Sequence, residues 1–132
     1  MNEFKIVLDE NLGTYVTIPE ASRKVWLEVS DDLEISEFAT NLPNSYQTKI
    51  HQLLEKSGVW FYKAEEKVFK EFGEKIPLEL LGIHLLSEDD EPDFIFGLVF
   101  GSPRESEHGI GLKMSLNTMD IIDYGDTEIA YF

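Results

Sequence analysis

The sequence predicts an α+β domain with a mainly antiparallel sheet: three N-terminal strands, two central helices and four or five C-terminal strands, the helix pair packed on one face. Three observations carry this. The first thirty residues hold short alternating apolar runs, residues 44–73 switch to helical spacing, and short apolar runs bounded by turn residues then return to the end of the chain. Because strand and helix signals are segregated rather than interleaved, a doubly wound parallel sheet is disfavoured. The 132 residues, 42% of them hydrophobic, suit a single domain spanning 1–132, with no internal repeat and no Pro/Gly/Ser-rich linker.

The elements follow in order. Phe4, Ile6 and Leu8 alternate with polar neighbours, as do Val16 and Ile18, and Asn11-Leu12-Gly13 between them suits a hairpin turn. Lys24 to Val29 places Val25, Leu27 and Val29 on one face of a third strand. From Asn44, the spacing of Tyr46, Ile50, Leu53 and Leu54 is helical, with Asn44 and Gln47 in capping-box register, and Ser57-Gly58 ends or bends this helix. A second helix from Trp60 carries the apolar stripe Phe61, Ala64, Val68, Phe69 and Phe72, with Gly73 as its C-terminal cap. The aromatic residues exceed one stripe, so Trp60 or Tyr62 must cap the core edge or stand exposed. Leu78–Leu86 reads as a strand covered on both faces. Further runs follow at Phe94–Phe100, at Gly109–Leu116, and at Ile121–Phe132 around a Gly125-Asp126 turn.

Charge narrows the function classes. There are 26 acidic and 11 basic residues, a formal net charge of −15. Residues 1–48 hold nine acids and three bases, 49–75 hold five and six, and 76–132 hold twelve and two. Such a field repels nucleic acid and anionic lipid and attracts basic proteins and cations. With no cysteine, disulfides, thiolate zinc sites and thiol nucleophiles are excluded. The start of the sequence lacks a basic n-region followed by an apolar stretch, and no segment has 18 consecutive apolar residues. The expectation is a cytoplasmic protein with no nucleic-acid or membrane partner.

No GxSxG, GxGxxG or GxxxxGK[ST] pattern occurs, which argues against acyl transfer and nucleotide binding. His51, His84 and His108 are scattered, without zinc-ligand spacing. His108 beside Glu105 and Glu107 has the ingredients of general acid/base catalysis, and equally those of an ordinary turn. Glu88, Asp89, Asp90, Glu91 and Asp93 form an acidic loop without the alternating ligands and glycine of a calcium loop. Lys63, Lys67 and Lys70 line one helix face, but Glu66 and Glu71 lie among them, as on a solvated face. Gly109 and Gly111 leave one side of a strand bare, so that Ile110 and Leu112 pack on the core while backbone or a ring lies over the glycines.

The segment Glu107-His108-Gly109-Ile110-Gly111-Leu112, followed by Ile121-Ile122-Asp123-Tyr124-Gly125-Asp126-Thr127-Glu128-Ile129-Ala130-Tyr131, resembles the close of a group of small bacterial domains. Those domains carry an EHG(I/L)G strand motif, and some are associated with immunity proteins of polymorphic toxin systems. The resemblance implies a non-enzymatic protein-binding domain, an acidic immunity-type inhibitor of a basic toxin. No metal and no cofactor are expected. The candidate partner-binding residues are Glu88, Asp89, Asp90, Glu91 and Asp93, with Glu105 and Glu107 as a rim. Two alternatives belong to other classes: a small hydrolase or ligand-binding enzyme using His108 with Glu105 or Glu107, aided by a divalent cation, and a homodimeric scaffold or regulatory domain.

Overall fold

In the computed structural model, the residues described are 13–19, 21, 24–29, 44–75, 78–86, 94–101 and 109–131. Strands β1 (Gly13–Val16) and β2 (Val25–Val29) precede helices α1 (Asn44–Glu55) and α2 (Ser57–Phe72). Strands β3 (Glu79–Leu85), β4 (Ile95–Gly101), β5 (Ile110–Ser115) and β6 (Ile121–Gly125) follow, and a 3-10 segment (Thr127–Tyr131) ends the described chain.

The strands form one sheet in sequence order, β1-β2-β3-β4-β5-β6. Every neighbouring pair is antiparallel except β2 and β3, which are parallel. A parallel pair cannot be joined by a hairpin, so the chain must cross over between β2 and β3. The stretch that does so contains both helices.

Alternation along the strands selects the core face. Val25, Leu27, Val29, Ile83, Leu85, Phe96, Leu98, Phe100, Leu112 and Met114 are buried on that face, and the cross-strand register lines them up. Ile50 and Leu53 of α1 and Trp60, Phe61, Ala64 and Val68 of α2 complete the same cluster. Trp60 meets Phe96 edge-on at 5.9 Å, and Phe61 meets Phe100 at 5.6 Å, a geometry that aromatic quadrupoles favour.

The helices are nearly continuous, with Lys56 the only residue between them. The Trp60 indole N–H donates to the Leu53 carbonyl at 2.8 Å, tying α2 back to the last turn of α1. Gly73 closes α2 with φ +74° and donates to the Phe69 carbonyl at 2.8 Å, a left-handed cap that glycine adopts at little cost. Trp60 is thus core and Tyr62 stands 63% exposed.

Several expectations change. Six strands make up the described sheet, two before the helices and four after, in place of three plus four or five; the run at residues 4–8 lies outside the described residues, as do Asn11 and Leu12. Gly13 belongs to β1 rather than to a turn. The second helix begins at Ser57, and Phe69 is half exposed instead of lying in the buried stripe. Thr127–Tyr131 is a 3-10 segment, not a strand. Its first turn is set locally: Asp126 accepts from the backbone N–H of Glu128 through its side chain (3.1 Å) and from that of Ile129 through its carbonyl (3.1 Å).

That segment lies on the face of the sheet opposite the helices. A Cβ on Gly97 would collide with the Ala130 carbonyl, and one on Gly111 with the Asp126 carbonyl. The two glycines therefore let backbone lie directly on the sheet, as expected for Gly111 from its spacing.

Candidate functional site

All the residues expected to bind a partner, Glu88, Asp89, Asp90, Glu91, Asp93, Glu105 and Glu107, lie outside the described residues, and so does His108. The topology nevertheless fixes where their segments attach. Residues 87–93 connect β3 to β4, and residues 102–108 connect β4 to β5. The two segments leave from opposite ends of β4, about 20 Å apart for a seven-residue strand.

Following each connection round the sheet separates two ends of different charge. At the end where β2, β3 and β5 finish and β1, β4 and β6 begin, segments 1–12, 30–43, 87–93 and 116–120 attach. They carry thirteen acidic residues and one basic residue, Lys5. The segments at the other end, 17–24, 73–78, 102–108 and 126–132, carry six acids and four bases. The described residues themselves hold eleven acids against eight bases, a net of −3. Most of the surplus charge therefore enters through segments joined to one end of the sheet.

Beside that end, on the face away from the helices, β1, β2 and β3 bring together Tyr15, Trp26, Glu28 and His84. Alternation in β2 points Trp26 and Glu28 away from the core residues Val25, Leu27 and Val29. Register sets Tyr15 opposite Trp26, and sets Glu28 between Gly13 and His84. A Cβ on Gly13 would fall inside the Trp26 ring, so the indole lies over that glycine. Tyr15 packs edge-on to Trp26, with ring centroids 5.0 Å apart at 70°.

The Trp26 indole N–H donates to Glu28 Oε1, and Glu28 Oε2 lies 3.5 Å from His84 Nδ1. Burial holds the His84 imidazole below its usual pKa, with the Glu28 carboxylate pulling the other way. At neutral pH His84 is uncharged. Among the described residues, no lysine or arginine pairs with Glu28, whose side chain is one-third exposed. Trp26 and Glu28 could have been placed on this face from the alternation of Lys24 to Val29. Their meeting with His84 could not, because it depends on a parallel pairing across some 55 residues of chain.

The α2 lysines behave as a solvated, partly structural face. Lys63 Nζ donates to the Met119 carbonyl at 3.1 Å, and Lys67 pairs with Glu71 at 2.9 Å while lying over the Tyr124 ring. Clefts of about 250, 210 and 360 Å³ run between α2 and the β5–β6 hairpin. Among the described residues, no group of three or more His, Asp or Glu side chains converges as a metal site, and no helix is long and apolar enough to cross a membrane. Comparison with protein-family models, curated proteins and solved structures returns no match.

Proposed function

We propose that this chain is a non-enzymatic protein-binding domain that captures a basic protein, in the manner of an immunity-type inhibitor of a cationic toxin. The observation that carries the reading is the charge polarity of the sheet. Thirteen acids and one base enter through segments joined to one end, against six acids and four bases at the other. A concentrated field of one sign speeds encounter with an oppositely charged partner and disfavours wrong ones. The resemblance of roughly residues 105–131 to immunity-associated domains points the same way. Residues Glu88, Asp89, Asp90, Glu91 and Asp93 are the principal contacts in this reading. Glu105 and Glu107, attached at the other end of β4, would serve a partner large enough to reach across the sheet.

The test is co-expression with the toxin-like C-terminal domain of a large secreted protein encoded beside this gene. Survival of the producing cells and a complex that co-purifies are expected. Absence of such a neighbour, or a neighbour that is neither bound nor neutralised, overturns the reading.

A further inference from the structure

We infer that Tyr15, Trp26 and Glu28 form a receptacle for a single guanidinium group, the side chain of an arginine presented by a partner protein. The inference deepens the proposed function by naming what part of a basic partner is gripped, and it rests on that reading only for the source of the arginine.

Three features of the cluster select this ligand. First, the Glu28 carboxylate has no lysine or arginine partner among the described residues. The Trp26 N–H holds one of its oxygens, and the group beside the other is His84, an imidazole kept neutral by burial. A carboxylate has about four lone-pair sites, so Glu28 can still accept two N–H donors from a planar fork. Second, the Tyr15 ring is 63% exposed and set edge-on to Trp26, giving an aromatic surface beside the carboxylate. Guanidinium groups stack on such surfaces while donating in their own plane, a combination that a compact ammonium matches poorly. Third, Glu28 is the penultimate residue of β2, next to Val29, where the acid-rich segment 30–43 leaves the sheet. Cations drawn to that end arrive beside the cluster.

Gly82 pairs with Trp26 in register, and a Cβ there would make only ordinary contacts, at 3.5 Å to the Trp26 carbonyl and 3.6 Å to His84 Nε2. Gly82 itself is buried, with the His84 imidazole beside it.

The experiment is an NMR titration of the intact protein with N-acetyl-arginine methylamide, following the two tryptophan indole N–H signals. Its controls are the isosteric citrulline derivative, which lacks the charge, and the lysine derivative. Trp60, buried and bonded to Leu53, serves as the internal reference. The arginine probe is expected to shift the Trp26 signal saturably, with a midpoint in about the millimolar range typical of one weakly held group. Citrulline should bind at least about tenfold more weakly and lysine in between. E28Q should abolish the saturable shift. Y15A, changing an exposed ring, should weaken it about threefold or more and carries the test if E28Q does not fold.

Equal shifts with arginine and citrulline, no saturable shift of Trp26, or undiminished binding in the variants overturns the inference. Because the probe is a small molecule, arginine binding that survives failure of the toxin experiment would remove the inhibitor reading and leave the site standing.

Discussion

At the scale of single residues, the exposed face of the sheet is ruled by what each side chain permits its neighbours. His84 is held below its ordinary pKa of 6.5 by burial, so as pH falls the unfolded chain takes up this proton before the folded one does. Its contribution to stability is complete above 6.5 and is lost as pH falls through that value toward the folded pKa. Urea unfolding of wild type and H84Q at pH 7.5 and 5.0 should therefore show wild type losing ground relative to the variant on acidification. A difference independent of pH would contradict the assignment. In E28Q the imidazole should titrate lower still, because the one described influence raising its pKa is gone; a proton NMR titration of His84 would read this. Gly97 and Gly82 make a matched pair on the same face. G97A drives a methyl into the Ala130 carbonyl and should cost about 1–3 kcal/mol, while G82A should stay within about 0.5–1 kcal/mol, the cost of urea unfolding being compared for the two.

At the scale of elements, the joints decide more than the elements themselves. Lys56 alone separates α1 from α2, and the Trp60–Leu53 hydrogen bond fixes the pair from inside the core. W60F removes that donor and part of a wholly buried side chain, and should destabilise by about 1–3 kcal/mol. Y62A, on the exposed side of the same helix, should change the urea midpoint very little. The elements were legible where pattern and packing agree. Val25, Leu27 and Val29 alternate and are buried, Gly73 caps α2, and the Gly109–Gly111 spacing foretold backbone or a ring over the glycines, which at Gly111 is the Asp126 backbone. They were less legible where tertiary contact outweighs local pattern. Residues 127–131 read as a strand because Ile129 and Tyr131 alternate, yet Asp126 caps a 3-10 turn and the glycine floor gives that turn a place to lie. Phe69 fits a helical stripe by spacing but falls at its margin, half exposed. Tyr15, Trp26, Glu28 and His84 come from three strands, and only the order β1-β2-β3 makes them neighbours.

At the scale of the whole molecule, a charge of −15 is less informative than its distribution. The division at residues 48 and 75 locates the surplus in the outer parts of the chain and leaves the helix pair nearly neutral. The sheet topology then joins segments 1–12, 30–43 and 87–93 to one end, although they are distant in sequence. In the proposed reading, acid-rich segments at one end, beside Glu28 and two aromatic rings, suit long-range attraction followed by local recognition of a cation. The central claim is tested most directly by the association rate with the neighbouring-gene toxin domain, measured by stopped flow from low to high salt. Wild type is compared with E88Q/D89N/D90N/E91Q and with the helix control E65Q/E66Q. The account predicts that association falls steeply with salt in wild type and in the helix control, and that the loop variant is slower and much less sensitive to salt. Equal rates and equal salt slopes in all three proteins would contradict it.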